Sequence, residues 1–214
     1  MKLPPDTKVV LFDMDGVIFN TEDLAHNVFA ELAQNFGKIF EEADHKTILG
    51  TSQDNWSQYF VTKWDLNTSF NEFASLFWQT LKKETLIHSK LLPGFQECIH
   101  KVRKNGLRTA LVTSTPITSV DPLLEKFELR ELFDVVVTGD EIIHGKPDPE
   151  PYLLAMKRLN LKSNECVVIE DALGGVKSAK SAGCYVIAVP TTHALGLDYS
   201  EADCILRTLK EIDV

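Results

Sequence analysis

Five short apolar runs, set at intervals along the chain, constrain this sequence more than any other feature. They are Val9–Phe12, Thr109–Val112, Val135–Val137, Val167–Ile169 and Val186–Val189. Each is mostly apolar at both odd and even positions. A strand with one wet face alternates between apolar and polar residues, whereas a strand buried on both faces does not. Strands of the second kind belong to parallel sheets covered by helices. The segments between them carry the matching helix stops: Gly106 closes the one that starts at Phe95, and Gly183 closes the one that starts at Ala172. The progression is βαβ, and it predicts an α/β fold built on a Rossmann-like, largely parallel sheet.

One interval breaks the alternation. From about Thr21 to about Leu91 the pattern is helical throughout. Leu24, Val28, Leu32 and Phe36 recur every fourth residue, after the capping pair Asn20-Thr21 and before Gly37. Ser69 and Glu72 have capping-box spacing and lead into Phe73, Phe77 and Leu81 on one stripe. A helical stretch of this size is too long for a loop. It is expected to form an inserted α-helical cap over residues 20–91, a lid beside the end of the first strand, with residues 1–19 and 92–214 forming the α/β core. Trp56, Tyr59, Phe60, Phe73, Phe77 and Trp78 are expected to fill mainly the cap's own interior. Pro122 is expected to start the helix after the second strand near Asp121, or to kink it.

Composition narrows the partners. A chain of 214 residues can hold one sizeable core plus such an insertion. Thirty-one acidic residues against 22 basic ones give a net charge of -9. That balance argues against nucleic acid and anionic membranes, both of which need clustered cationic surface. No apolar run is long enough to span a bilayer, and the opening Met1-Lys2-Leu3-Pro4-Pro5 does not read as a signal peptide. Cys98, Cys166, Cys184 and Cys204 show no paired spacing, and reduced thiols are expected, those of Cys166 and Cys184 buried. The expectation is a cytoplasmic protein, a monomer or weak homodimer.

The polar residues fall in one place on such a sheet. Ligands of open parallel sheets bind beyond the carboxyl ends of the strands. Asp13 and Asp15 follow the first run, Thr113 and Ser114 follow TALV, and Glu170 and Asp171 follow CVVI. Lys146 lies in the loop after VVVTGDEIIHG. Taken singly, each has a plain structural explanation. Asp-Met-Asp-Gly makes a turn, the hydroxyls and Glu170-Asp171 cap helices, and KPDPEP is a rigid loop. None of these explains their common address. Gathered there, four carboxylates face one lysine, and confined like charges take up protons or recruit a cation. Carboxylate oxygens suit Mg²⁺, which keeps some waters and is completed by substrate phosphate. With Lys146 and the Thr113 and Ser114 hydroxyls, the cleft then becomes a phosphate receptor. The paired Gly174-Gly175 at the next helix start could bring backbone amides close to it.

Four segments resemble, in order, the motifs of the haloacid dehalogenase superfamily of hydrolases. The branch is the one with a helical cap, which holds β-phosphoglucomutase-like and phosphoglycolate phosphatase-like members. They are DMDGV (Asp13–Val17), LVTST (Leu111–Thr115), GKPDPEPY (Gly145–Tyr152) and VVIEDALGGVKSAKSAG (Val167–Gly183). The resemblance implies a Mg²⁺-dependent phosphatase of a small phosphorylated metabolite. It makes Asp13 the nucleophile that forms an aspartyl-phosphate and Asp15 the general acid and base. Lys146 and Thr113 then stabilise the transferring phosphoryl group. Asp13, the Asp15 backbone carbonyl and Asp171 ligate the metal, with Glu170 nearby. Thr51 and Gln53, in ILGTSQDNW (Ile48–Trp56), are candidate substrate contacts of the cap loop. A β-phosphoglucomutase-like phosphoryl transferase is the alternative, disfavoured because its basic cap-loop pair and histidine align with Leu49, Gln53 and Ala25. A non-hydrolytic phospho-acceptor of the receiver type would be shorter and capless, with its acceptor aspartate after a middle strand.

Overall fold

A computed structural model describes residues 1–48 and 53–214. The chain divides into two compact units, one made of Met1–Asn20 and Lys90–Val214 and the other of Thr21–Ser89.

The first unit is built on a sheet whose strands are β1 (Val9–Phe12), β2 (Arg108–Val112), β3 (Val135–Val137), β4 (Cys166–Glu170), β5 (Tyr185–Ala188) and β6 (Cys204–Ile205). All pairs are parallel, in the order β3-β2-β1-β4-β5-β6. The pairing reverses direction at β1, which sits between β2 and β4, and that reversal is where such sheets open a crevice at their carboxyl ends. Every residue of β1 and β4 is buried, Glu170 included. This is the burial that apolarity on both parities demands. Alternate strand residues Val10, Phe12, Leu111, Val167, Ile169 and Ile187 share one core with Phe95, Ile99 and Val102 of α5 (Phe95–Lys104) and Val120, Leu123 and Leu124 of α6 (Ile117–Lys126). The ring of Phe12 meets that of Phe95 edge-on at 5.7 Å. Helices α7 (Glu150–Leu159) and α8 (Leu173–Ser181) also pack on the sheet. Gly106 and Gly183, at φ 80° and 82°, follow α5 and α8 as helix-ending glycines.

Three points add to the sequence reading or change it. β6 was not legible, being two residues long with Ile205 exposed. The helix containing Pro122 starts at Ile117, not near Asp121. Its first N–H is taken by the Asp140 carboxylate at 3.0 and 3.2 Å, a cap 23 residues away that no local pattern announces. Glu170 is the last residue of its strand, in register with Ala188, and so stands at the strand's carboxyl end as expected.

The second unit is helical among its described residues: α1 (Thr21–Asn35), α2 (Glu42–Ile48), α3 (Gln53–Lys63) and α4 (Phe70–His88). Ser69 and Glu72 form the expected capping box of α4. The interior is aromatic: Phe29 stacks on Phe77 at 4.2 Å, Phe60 lies 4.5 Å from Trp64, and Trp56 lies 4.9 Å from Phe77. Trp56, Phe60, Phe73 and Phe77 are buried as expected, whereas Trp78 is half exposed. Phe36, expected on the buried stripe of α1, lies past the end of the helix and is exposed, while Phe29 and Ala33 join the core instead. A stripe drawn strictly every fourth residue drifts off the buried face of a 3.6-residue helix, and the neighbouring row takes over. Asp44 is buried in the same unit and accepts hydrogen bonds from the Tyr59 hydroxyl (2.7 Å), the Glu41 N–H (2.9 Å) and the Lys63 ammonium.

Among the described residues, no helix is long and apolar enough to cross a membrane. The four cysteines are free thiols, with Cys98, Cys166 and Cys184 buried.

Candidate active site

The site is assembled at the carboxyl ends of β1, β2 and β4. Asp13 directly follows β1, and its N–H extends the ladder to the Ile169 carbonyl at 3.0 Å. The chain then folds tightly. The Ile18 and Phe19 amides both return to the Met14 carbonyl, and the Gly16 N–H bonds Phe19 O at 2.9 Å. Residues Val17 to Phe19 therefore form a buried turn before α1, and the sequence offers no cue for it because they are apolar. Gly16 is required twice over. Its φ is 75°, and a Cβ there would sit 2.1 Å from the Asp171 carboxylate. The connecting segments are tied where the chain leaves this unit and returns: Leu92 N–H bonds Ile18 O at 2.8 Å, and Lys90 N–H bonds the Asn20 side-chain oxygen at 2.7 Å.

Asp13 and Asp15 stand in different surroundings. Lys146 Nζ donates to Asp13 Oδ1 (2.5 Å), Glu170 Oε1 (2.6 Å) and the Val112 carbonyl (3.2 Å). Glu170 Oε1 also accepts from the Tyr152 hydroxyl at 2.6 Å, and the Lys146 ammonium lies over the Tyr152 ring at 5.2 Å. By contrast, Asp15 Oδ2 accepts from the hydroxyls of Thr115 at 2.7 Å and Thr113 at 3.3 Å. The Thr115 N–H in turn bonds Thr113 Oγ1 at 3.0 Å, which locks the loop after β2.

The carboxylates expected to hold the metal separate along the same line. Ligand oxygens of Asp13, Glu170 and Asp171, all buried, lie within 4.8 Å of one another. The Asp15 carboxylate is not in that group, since the two threonines hold it. Gly175 makes room for Glu170: a Cβ there would meet its carboxylate atoms at 1.9 to 2.2 Å, while around Gly174 nothing lies within 4 Å. Gly175 alone thus seats a carboxylate, a use other than the amide presentation expected of the pair.

Burial pushes the Asp13 carboxyl well above the usual carboxylate range; Lys146 opposes this, and the charges of Glu170 and Asp15 add to it. Burial alone would lower the Lys146 ammonium, but Asp13 and Glu170 reverse the sign and hold it well above its ordinary value. Lys146 is therefore a permanent cation, and the surplus negative charge around it is relieved only by a proton or a second cation. The donor set fits Mg²⁺, with carboxylate oxygens buried and close. Oxygens on opposite sides of a Mg²⁺ octahedron are about 4.1 Å apart, so a 4.8 Å spread needs only small side-chain movement.

Of the remaining sequence-derived candidates, Ser114 is exposed, with its carbonyl packed where a Cβ on Gly139 would stand. Gln53 is engaged within its own unit, its side-chain oxygen accepting from the Trp78 indole N–H at 2.7 Å. Thr51, with Leu49, lies outside the described residues. Two residues with evident roles in the site had not been singled out, Thr115 and Tyr152. Both lie inside the quoted motifs, LVTST and GKPDPEPY, and position in the motif was the one available signal.

A parallel sheet with this reversal, carrying an Asp-x-Asp loop, a buried lysine and an acidic pair, defines a class of hydrolase. The family model of haloacid dehalogenase-like hydrolases matches residues 10–189, and the chain belongs to that family. Within it the chain is similar to a phosphorylated carbohydrates phosphatase of Thermotoga maritima, 36% identical over 82% of each chain. A phosphoglycolate phosphatase of Nitrosospira multiformis is 28% identical, with coverage of 95% of this chain and 92% of the relative. Among solved structures, a mutant of CbbY from Rhodobacter sphaeroides in complex with xylulose-(1,5)bisphosphate superposes with a TM-score of 0.79, at 25% identity and 96% coverage of both chains.

Proposed function

We propose that the protein is a Mg²⁺-dependent phosphatase that hydrolyses a small phosphorylated carbohydrate or related metabolite through an aspartyl-phosphate on Asp13. The observation that carries this reading is the split between two aspartates two residues apart. Asp13 sits against Lys146 and the carboxylate group, while Asp15 is held by two hydroxyls. In the first step a carboxylate oxygen of Asp13 attacks phosphorus and the bond to the substrate's alcohol oxygen breaks, with Asp15 giving its proton to that oxygen. In the second, water attacks phosphorus, Asp15 takes the water's proton, and Asp13 leaves as carboxylate with release of inorganic phosphate. Lys146 and the Thr113 hydroxyl stabilise charge on the phosphoryl oxygens. Asp13, Asp171 and the Asp15 backbone carbonyl would hold Mg²⁺, with Glu170 close by, and the ion supplies charge neutralisation for the phosphate. The relatives named for phosphorylated carbohydrates and phosphoglycolate support the substrate class. The four free thiols fit a reducing, cytoplasmic setting, and a monomer or weak homodimer is part of the same reading.

A phosphate-release screen over phosphorylated sugars and small phospho-acids with Mg²⁺ tests the proposal, comparing the wild type with Asp13→Asn and Asp15→Asn. Release by the wild type, lost in both variants, is expected. Undiminished release by Asp13→Asn, or no release on any substrate by the wild type, would sink it.

A further inference from the structure

The helical unit contains a second group of metal-binding side chains that the proposed hydrolysis does not use. His26 projects from α1, and Glu42 and His45 lie three residues apart on α2, hence on neighbouring turns of one face. One ligand atom from each lies within 4.8 Å of the others. The two imidazoles meet through like atoms, Nδ1 to Nδ1, at 3.2 Å, with ring planes at 71°. Phe40 packs on the His26 ring at 5.0 Å, and Asp44, next in sequence to His45, is anchored by Tyr59 and Lys63. The two histidines are thus presented by supported helices.

We infer that His26, His45 and Glu42 form a binding site for a borderline divalent transition metal, Zn²⁺ being the best fit. The Nδ1 separation carries the assignment. Two imidazole nitrogens bound to tetrahedral Zn²⁺ at 2.0–2.1 Å lie about 3.3–3.4 Å apart, and here they are 3.2 Å apart before any ion is placed. A neutral pair can share one proton at this distance; with both ring protons on Nε2 instead, it presents two Nδ1 lone pairs at the separation a metal requires. Glu42 is exposed at the first residue of its helix, so its carboxylate can swing in to complete the set. Two nitrogens and one carboxylate oxygen favour Zn²⁺, Co²⁺ or Ni²⁺ over Mg²⁺, whereas the carboxylate group of the other unit favours Mg²⁺. The protein therefore carries two chemically sorted cation sites.

The test is titration of the intact protein with Zn²⁺ in excess Mg²⁺, followed by calorimetry, and with Co²⁺, followed by the visible bands of tetrahedral coordination. One Zn²⁺ per chain is expected. Glu42→Gln should weaken binding about tenfold or more, His26→Gln should weaken it further and abolish the Co²⁺ bands, and Asp13→Asn should leave both unchanged. Glu42 is exposed, so that variant keeps its fold and the comparison stands even if His26→Gln is perturbed. Absence of Zn²⁺ binding, binding indifferent to Glu42→Gln and His26→Gln, or binding lost in Asp13→Asn would each overturn the assignment. An inactive but Zn²⁺-binding protein would count against the proposed phosphatase and leave this site standing.

Discussion

Gly175→Ala is the substitution whose outcome the geometry constrains most tightly. Gly175 lies inside α8, where alanine is ordinarily the better helix former by about 1 kcal/mol. Its added methyl, however, would stand 1.9, 2.0 and 2.2 Å from three atoms of the Glu170 carboxylate. Non-bonded carbon atoms rest at about 3.5–4.0 Å, so the carboxylate must retreat by roughly 1.5 Å. A flexible exposed side chain would do so cheaply. Glu170 is 1% exposed and accepts from Lys146 and Tyr152, both at 2.6 Å. Moving it breaks both bonds, each worth about 1.5–3 kcal/mol with a charged partner. Set against the helix gain, the net loss is about 2–5 kcal/mol, which for a chain of this size lowers Tm by about 4–20 °C. Lys146 loses one of its anchors, and misplacement of this order costs about 100-fold in rate. Calorimetry and p-nitrophenyl phosphate hydrolysis read the two effects. Gly174→Ala is the internal control: with nothing within 4 Å of its Cβ, it should melt at or slightly above the wild type. A Gly175→Ala protein that melts as high as the wild type and keeps its activity would refute the role given to Gly175.

Other consequences are equally open to test. Thr115→Val removes the 2.7 Å bond to Asp15 while sparing Asp13, so kcat should fall about tenfold with KM little changed in steady-state assays. Tyr152→Phe takes one donor from buried Glu170 and should destabilise the protein by about 1.5–3 kcal/mol in denaturant melts. Burial alone would raise the Asp44 carboxyl, but hydrogen bonds from Lys63, the Glu41 N–H and Tyr59 hold it below the ordinary range. A group with a depressed folded-state pKa stabilises above its unfolded value of about 3.9, and that contribution is lost as pH falls through the folded value. Circular dichroism of acid melts should show loss of stability below about pH 4, with a shallower acid slope in Asp44→Asn. Burial raises the Cys98 thiol to about 12, and Cys166 and Cys184 are also buried, so brief alkylation of the native protein at mild pH should label Cys204 first.

The sheet was legible because burial on both faces writes itself into runs such as VVLF and CVVI, where no polar parity remains. The address of the site followed, since ligand groups of such sheets gather at the carboxyl ends. Hidden features depended on partners distant in sequence. Asp140 caps α6 from 23 residues away and Thr115 reaches Asp15 across 100 residues. The turn at Val17 to Phe19 escaped for another reason: it is apolar, and nothing in its composition marks a turn. Phe36 and Phe29 exchanged places because helical rows drift, which a fixed spacing of four ignores.

The central claim is that Asp13 carries the phosphoryl group. Asp15→Asn should slow the second step, where water must lose a proton, while p-nitrophenolate leaves without needing one in the first, so with p-nitrophenyl phosphate the intermediate should accumulate. That variant, turned over with p-nitrophenyl phosphate and quenched in acid within milliseconds, should yield one base-labile phosphoryl group, stable to the quench, on the peptide containing Asp13. Label on any other peptide, or a wild type that turns over while no variant or time point yields a phosphoryl-protein, would contradict it.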